Sequence, residues 1–409
     1  MPFHPMKGVR IVEVAQYTFT PAAAGVLADW GADVIKIEHP EAGDAQRGLQ
    51  VGWAGAKDGT WHPIIDHPNR GKRSIGLALD HPDGRAVLYD LVRGADVFLT
   101  NFLPAARRRL EIDVEHIRAV NPDVIYVRGS AFGPRGPESE AGGYDSSVFW
   151  ARGGSAAGVT PSDIDKALDM PSGAYGDSMG GMTIAGGIAG ALFARAQTGE
   201  PSIVDVSLLS VAAWAMALNV NLSLMKGEPP PSQTLAPAPM AAPNPTAGTF
   251  RTADARWINF TFLQPGRYWA DFCRHIGRED LISDERFATV EKLMANAVEA
   301  RDIIVSEIGK HTVAEWRERF KTLEGPWAVV QNALEVGHDP QLVANGYIAE
   351  VADSSGKTQH LVANPVQFDE TPATIRRAPL FAEHTDDILR ELGRDEDAIM
   401  QLKIDGVVT

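Results

Sequence analysis

The chain has 409 residues, of which 44% are hydrophobic and 22% charged, as in ordinary soluble globular proteins. Its formal net charge of −15 argues against a general nucleic-acid-binding protein, which would carry a basic face. The single cysteine, Cys273, excludes an internal disulfide framework and any Cys-x-x-Cys metal or redox site. The first residues, MPFHPMKGVR, show no apolar signal-peptide segment, and no run approaches the roughly 18 apolar residues of a membrane span. We therefore expect a cytoplasmic protein without a membrane partner.

The first third of the chain alternates strand and helix patterns. Helices are predicted between successive β-branched runs, which predict strands over 8–15, 32–38, 73–79, 96–102 and 123–133. Strands separated by helices indicate βαβ units and a mainly parallel sheet. The turn after the first strand, AQYTFT, lacks the Gly-x-Gly-x-x-Gly pattern that holds a pyrophosphate. A nucleotide redox cofactor is therefore not expected.

The rest of the chain indicates a second, smaller domain. In chain order the patterns predict a helix of small residues over 182–199, a Pro- and Ala-rich linker over 227–246, a hairpin over 248–262 with its turn at 253–255, helices within 266–325, strands within 346–368 and a helix over 383–393. We predict a large α/β domain over 1–225, a small domain with linkers over 226–330, and a return to the large domain over 331–409.

A glycine-rich stretch, GAYGDSMGGMTIAGG, contains two candidate nucleophiles side by side. Residues 176–180 match Gly-x-Ser-x-Gly, the pattern around the nucleophilic serine of α/β-hydrolases. The segment before Ser178, DKALDMPSGAY, has no strand pattern, which a hydrolase would need there. The downstream histidines that could serve Ser178 do not follow a predicted strand: His275, His311, His338, His360 and His384.

Asp177 allows two interpretations. It could cap the helix that follows it. Alternatively, its carboxylate could attack an acyl group, giving a mixed anhydride that a second nucleophile opens. Gly176, Gly180 and Gly181 would let a bulky group approach, and their amide N–H groups could stabilise an oxyanion.

Seven segments spread over nearly the whole chain resemble one family, the family III CoA-transferases, which includes formyl-CoA transferase, carnitine CoA-transferase and, by fold, α-methylacyl-CoA racemase. The resembling segments are GVRIVEVAQYTFTPAAAGVLADWGADVIKIEHPEAGDAQRG, NRGKRSIGLAL, DVFLTNFLPAARRRL, GYDSSVFWARGGS, GDSMGGMTIAGGIAGALFAR, VDVSLLS and RAPLFAEHTDDILRELG.

This resemblance implies a fold, a reaction and a set of site residues. The fold would be a Rossmann-like parallel-sheet domain plus a smaller α+β domain, in an open-ring chain that interlocks with a second copy as a homodimer. The reaction would exchange CoA between an acyl-CoA and a carboxylic acid, without a metal, and the family's nucleophilic aspartate falls on Asp177. The residues implied to contact CoA are Tyr17, Thr18, Phe19, His39, Leu77, Ala78, Leu79, Asp80, Asn101, Phe102, Arg109, Tyr144 and Asp145.

One of these residues has a simple alternative. A guanidinium is a suitable partner for a CoA phosphate, which favours Arg109. The same side chain could instead be one solvated charge in the Arg run over 107–109.

Departures from the family pattern bear on the reaction. Formyl-CoA transferases carry a glutamine and an arginine where this chain has Thr18 and His39, and they carry a glycine-rich flap that is absent here, so formate–oxalate exchange is not expected. Family racemases carry Gly-His-Asp where this chain has Gly143-Tyr144-Asp145. A tyrosine, with an ordinary pKa near 10, is a poor base at neutral pH. A CoA-transferase is therefore predicted over the two alternatives, an α-methylacyl-CoA racemase or epimerase and an acyl-CoA-binding paralogue without turnover.

Overall fold

The structure is a computed structural model that describes residues 3–49, 61–232, 234 and 244–409. The chain divides into two compact units, one formed by Met1–Thr160, Asp165–Ser232 and Pro340–Thr409 and the other by Pro161–Ile164 and Gln233–Asp339. Of the predicted linker over 227–246, residues 233 and 235–243 lie outside the described residues. The domain boundaries proposed after residues 225 and 330 stay a prediction.

The strands of the described residues are short. They run over Arg10–Val14 (β1), Asp33–Glu38 (β2), Arg73–Gly76 (β3), Val97–Thr100 (β4), Ile125–Ser130 (β5), Ile203–Ser207 (β6), Ala247–Arg251 (β7), Trp257–Thr261 (β8), Trp327–Val329 (β9), Ile348–Ala352 (β10) and Thr358–Val362 (β11).

The α-helices of the same residues vary from one turn to more than six. They run over Phe19–Asp29 (α1), Pro63–Asn69 (α2), Pro82–Arg93 (α3), Pro104–Arg109 (α4), Val114–Val120 (α5), Ser155–Val159 (α6), Tyr175–Thr198 (α7), Leu208–Ala215 (α8), Ala217–Lys226 (α9), Pro265–His275 (α10), Val290–Ala295 (α11), Ala297–Ile308 (α12), Val313–Arg319 (α13), Ala333–Gly337 (α14), Pro340–Ala344 (α15), Thr385–Glu391 (α16) and Glu396–Ile404 (α17). No single helix among the described residues is long and apolar enough to span a membrane. Helices α8 and α9 together have a sufficient length and apolar composition, but the chain bends by 75° between them.

The larger unit contains a parallel sheet with the strand order β3-β2-β1-β4-β5-β6, which is the Rossmann order. In its centre, Ile11 of β1 lies between Val34 of β2 and Val97 of β4. The strand order reverses at β1 and β4, and ligands bind such sheets in the crevice at the carboxyl ends of these strands. The predicted α/β class with a parallel sheet is confirmed, and the crevice locates the site.

Both faces of this sheet are covered. Ile11 and Val12 follow one another on β1 and neither is exposed, as a strand buried on both faces requires. Ile11 belongs to the core that α1 and α7 form on one face, and Val12 to the core on the other face with Leu88 of α3 and Val407 near the C-terminus. The apolar runs of the sequence therefore predict the strands well.

The contact between α1 and α7 depends on two glycines. A Cβ atom added to Gly180 would overlap the Phe19 ring, and one added to Gly181 would lie 2.6 Å from the Cβ of Ala22. The small residues of α7 thus let the two backbones approach closely, which compensates for the poor helix propensity of glycine. The helix is longer than predicted, since it begins at Tyr175 instead of residue 182.

The smaller unit is built on an antiparallel sheet with the order β7-β8-β9. The predicted hairpin is formed by β7 and β8, and Ala255 takes a φ of 60° in its turn. Its core, which α10, α12 and α13 help to form, is rich in aromatic side chains and contains the buried Cys273. The C-terminal helix α17, which Asp395 caps, was not predicted.

Candidate active site

Polar contacts hold the loop that leaves β1, at the reversal point of the sheet. Gln16 and Asn101 follow β1 and β4 and exchange two hydrogen bonds: the Gln16 N–H donates to Asn101 Oδ1 (3.1 Å), and Asn101 Nδ2 donates to the Gln16 carbonyl (2.7 Å). The next residue, Tyr17, has a φ of 66°, and its N–H donates to Asp44 Oδ1 at 3.1 Å. The backbone beside the crevice is therefore held from two sides.

Asp177 lies inside the first turn of α7. Ala174, with a φ of 59°, is the N-cap residue of this helix. The alternative in which Asp177 itself caps the helix is therefore wrong. A carboxylate in the first turn still lies at the positive end of the helix dipole, which favours a negative charge there.

Asp145 accepts a hydrogen bond from the N-terminal end of α7. It begins a π-helical segment, Asp145–Arg152, and both of its carboxylate oxygens accept the Gly176 N–H at 3.1 Å. A Cβ atom at Gly176 would overlap the Phe149 ring and Asp145 Oδ1, so glycine is required for this close approach. The two carboxylates of Asp145 and Asp177 consequently lie at the same helix end.

The predicted oxyanion donors are not where the sequence suggested. The Gly176 N–H is donated to Asp145, and Gly180 and Gly181 lie in α7 beyond its first turn, where their N–H groups donate to helix carbonyls. An oxyanion would therefore need other donors, and the expectation based on these glycine amides is wrong.

Asp177 has an unusual acidity for an aspartate. Its partial burial, and after that the negative charge of Asp145, raise its pKa to about 7. Burial also raises the pKa of Asp145, while hydrogen bonds from the backbone at the start of α7 lower it. Asp177 therefore exchanges its proton near neutral pH, and a strongly shifted carboxyl group in a cleft is typical of a functional site.

A cavity of about 800 Å³ contains both carboxylates in its wall. The ends of four neighbouring parallel strands contribute to it, through Gln16 after β1, Asn101 after β4, Ser130 at the end of β5 and Leu208 after β6. The position agrees with the crevice expected for this strand order. Its size lies within the range of small-molecule and cofactor sites.

Comparison with known proteins identifies the family. The sequence model described as CoA-transferase family III matches residues 6–385. The chain belongs to this family. It is therefore an enzyme that transfers CoA, and CoA is its substrate.

Relatives with named activities align with this CoA-transferase over almost their whole length. An (R)-2-hydroxy-4-methylpentanoate CoA-transferase from Clostridioides difficile is 28% identical over 98% of this chain and 99% of its own. A succinate–glutarate CoA-transferase from Agrobacterium fabrum is 31% identical over 95% of this chain and 96% of its own.

Solved structures show the same architecture. A CAIB/BAIF family protein from Brucella suis superposes with a TM-score of 0.80 at 26% identity, covering 95% of this chain and 99% of its own. A hypothetical protein from Mycobacterium tuberculosis superposes with a TM-score of 0.78 at 26% identity and the same coverage. The mixed α/β fold with a six-stranded parallel sheet is thus shared with family members.

The cavity brings together a subset of the predicted site residues. Its wall includes Asp177 and the following predicted CoA contacts: Tyr17, Phe19, Asn101, Phe102, Tyr144 and Asp145. The remaining predicted contacts lie outside this wall: Thr18, His39, Leu77, Ala78, Leu79, Asp80 and Arg109. Thr18 is buried and its hydroxyl accepts a hydrogen bond from Gln46, whereas His39, Asp80 and Arg109 are exposed. The contacts of all these residues with CoA stay predictions.

The cavity wall also contains arginines that the sequence analysis missed. Arg107 is buried and pairs with Asp113, Arg128 pairs with Asp205 at 2.7 Å, and the exposed Arg108 pairs with Glu140. Arg107 and Arg108 belong to the same Arg run as Arg109, a signal that the sequence contains. Arg128 lies in the middle of the strand predicted over 123–133. A guanidinium lining a cavity is suited to binding a phosphate or carboxylate.

Ser178 has a histidine neighbour, but the geometry does not activate it. Ser178 Oγ donates to the Ala174 carbonyl at 2.9 Å and lies 3.4 Å from His67 Nε2. His67 Nδ1 faces the Arg70 guanidinium, which can only donate, so Nδ1 accepts and Nε2 carries the proton. A protonated Nε2 cannot take the proton of Ser178. Neither Ser178 nor His67 lines the cavity, which argues against the hydrolase interpretation.

Proposed function

We propose that this CoA-transferase exchanges CoA between an acyl-CoA thioester and a free carboxylic acid, with Asp177 as the nucleophile. The observation that carries the proposal is the position of Asp177, a carboxylate on the wall of the main cavity with a pKa near neutral. Ser178, the neighbouring candidate, does not line that cavity. Relatives whose names specify hydroxy acids and dicarboxylic acids support a carboxylic acid as the acceptor.

The first half of the proposed reaction removes the donor acid. An Asp177 oxygen attacks the thioester carbonyl carbon, the C–S bond breaks, and CoA leaves as a thiolate. The product is a mixed anhydride between Asp177 and the acyl group. The thiolate then attacks the Asp177 carbonyl carbon, which gives an aspartyl-CoA thioester and releases the donor acid as a carboxylate.

The second half repeats these steps in reverse order with the acceptor. The acceptor carboxylate attacks the aspartyl thioester, and the CoA thiolate leaves again. The thiolate then attacks the acyl carbonyl of the new anhydride, which forms the acceptor's CoA thioester and regenerates the Asp177 carboxylate. Nothing is oxidised or reduced, and the energy of the thioester bond is retained because every intermediate is an activated acyl group.

A trapping experiment tests this mechanism directly. Incubated with an acyl-CoA donor and no acceptor, the enzyme is expected to gain the mass of CoA at Asp177, and hydroxylamine is expected to remove it, since it cleaves thioesters. Intact-protein and peptide mass spectrometry measure both changes. An acyl group without CoA on Ser178 would contradict the proposal and would favour a serine nucleophile.

We also propose that two copies form the interlocked homodimer implied by the resemblance. In the part of the chain that the structure describes, helix α9 contains no buried residue. Apolar side chains on α8 and α9 are largely exposed: Trp214 by 82%, Leu218 by 72%, Leu224 by 78% and Met225 by 74%. Large exposed apolar surfaces mark interaction sites in soluble proteins. We assign this surface to a second copy of the chain, because in a symmetric dimer each copy presents the same face to the other.

Interlocked chains should separate only when they unfold. On dilution, the wild-type enzyme is therefore expected to remain a dimer in sedimentation velocity until it denatures. Because the chains must interlock while they fold, the double variant Leu218→Glu/Leu224→Glu should yield less dimer on refolding, whereas Ile404→Glu, a change at an equally exposed residue of α17, should not. A folded wild-type monomer at low concentration would contradict the interlocked arrangement.

A further inference from the structure

Tyr17 takes a backbone conformation that a large side chain rarely adopts. Its φ of 66° lies in the left-handed region, where glycine, asparagine and aspartate are common and aromatic residues are not. Residues held in this region need surrounding contacts that enforce it, and they concentrate at functional sites. Tyr17 has such contacts: its backbone is bound by a residue in the interior of the larger unit that does not line the cavity.

Asp44 is the residue that meets the Tyr17 backbone. It is 1% exposed, and its Oδ1 accepts the N–H groups of Tyr17 at 3.1 Å and of Gln46 at 2.9 Å. Its Oδ2 lies 2.8 Å from the Lys36 ammonium group, which is fully buried. Asp44 is thus a buried anion: one of its oxygens accepts a hydrogen bond from the Tyr17 loop, and the other forms an ion pair with the buried Lys36.

Lys36 is itself held in place, which fixes Asp44. Its ammonium group donates to Glu13 Oε1 and to the Ala15 carbonyl, both at 2.9 Å. Burial alone would lower the pKa of Lys36, but the charges of Glu13 and Asp44 outweigh it and raise the pKa. The lysine therefore stays charged, and the interaction connects β1, β2 and the loop that carries Tyr17.

The Tyr17 side chain carries this constraint to the cavity. Its ring meets the Tyr144 ring edge to face with centroids 5.5 Å apart, and the two hydroxyl oxygens are 3.5 Å apart. Both tyrosines line the cavity together with Asp177. A change in the Tyr17 backbone would therefore move an aromatic pair that lines the same cavity as Asp177.

We propose that Asp44 is a positioning residue for the CoA thioester: by holding the Tyr17 backbone in its left-handed conformation, it fixes the aromatic pair that places the thioester against Asp177. The inference rests on the proposed CoA site. Asp44 itself touches neither the cavity nor Asp177, so it acts through Tyr17.

Two substitutions at Asp44 separate positioning from charge. Asp44→Asn can keep an oxygen for the Tyr17 N–H, but it loses the charge and turns an amide N–H towards the Lys36 ammonium group, whereas Asp44→Ala loses the oxygen and the charge. We expect Asp44→Ala to lower kcat/KM by about ten- to a hundredfold, since small misplacements of a bound substrate have effects of this size. Asp44→Asn is expected to lower kcat/KM less than Asp44→Ala does, because an oxygen remains for the Tyr17 N–H although the ion pair with Lys36 is lost.

Ser74→Ala is the matched control for stability. It removes a buried hydrogen bond of 2.6 Å to Glu38 in the same polar interior without touching Tyr17. It should lower the melting temperature and leave kcat/KM unchanged. If Ser74→Ala lowers kcat/KM as much as Asp44→Ala, or if Asp44→Ala leaves it unchanged, the positioning role is wrong.

Amide hydrogen exchange at Tyr17 gives a readout that needs neither turnover nor the alanine variant. The Tyr17 N–H should exchange slowly in the wild type, rapidly in Asp44→Ala if that variant folds, and at a rate between the two in Asp44→Asn. Rapid exchange in the wild type would overturn the proposal. A failure of the proposed function would instead appear as an absence of CoA adducts on Asp177, with the exchange pattern intact.

Discussion

Replacing Asp177 by alanine is expected to abolish CoA transfer while CoA still binds. The substitution removes the group that forms both covalent intermediates, so the rate should fall by about a thousandfold or more. Binding should persist because the side chain is one part of a wall to which four strand ends contribute. Steady-state transfer assays and calorimetric titration with CoA measure the two effects separately.

The neighbouring serine supplies the matched control. Ser178→Ala changes the same helical turn and removes the hydrogen bond to the Ala174 carbonyl, but it leaves the cavity wall intact. It should retain most of the activity. Asp177→Asn, which keeps the shape of the side chain, should be as inactive as the alanine variant. Normal transfer by either Asp177 variant, or an inactive Ser178→Ala, would contradict the assignment.

The elements nearest the site could be predicted from the sequence because parallel strands leave a clear signal. A strand buried on both faces must be apolar at consecutive positions, as Ile11 and Val12 are. Residues that directly follow such strands meet at one edge of the sheet, which brings Tyr17 and Asn101 into the same cavity wall. Arg128, by contrast, lies inside β5, so its place in the cavity wall did not follow from this rule.

The choice between Asp177 and Ser178 could not be made from the pattern alone. The motif contains both residues, and the resemblance to a family decided in favour of the aspartate. The decisive physical facts are contacts between residues distant in sequence, such as Ser178 with His67 and Gly176 with Asp145. The start of α7 was also missed, because glycines such as Gly176 and Gly180 disfavour a helix. The contacts that require them, of Gly176 with the Asp145 carboxylate and of Gly180 with the Phe19 ring, are visible only in the structure.

The acidity of Asp177 predicts a pH dependence with a definite direction. Its pKa is raised to about 7, first by burial and then by the charge of Asp145. Only the ionised carboxylate is a nucleophile, so kcat/KM should decline as the pH falls below about 7, approaching about tenfold per pH unit. An ordinary aspartate would lose activity only near pH 4.

Asp145→Asn should shift the decline of kcat/KM at acidic pH to lower pH. The substitution removes the second of the two causes and keeps an oxygen that can accept the Gly176 N–H, while burial continues to hold the pKa of Asp177 above that of an ordinary aspartate. Glu140→Gln is the control, since Glu140 lines the same cavity but is exposed and paired with Arg108, where solvent screens its charge. The measurement is kcat/KM from pH 4 to 9 for the three proteins, because this ratio reports ionisation of the free enzyme. The interpretation is wrong if the acidic side of the kcat/KM profile of Asp145→Asn stays in place or moves to higher pH. It is also wrong if the profile of Glu140→Gln moves by the same amount, because Asp145 would then not set the acidity of the nucleophile.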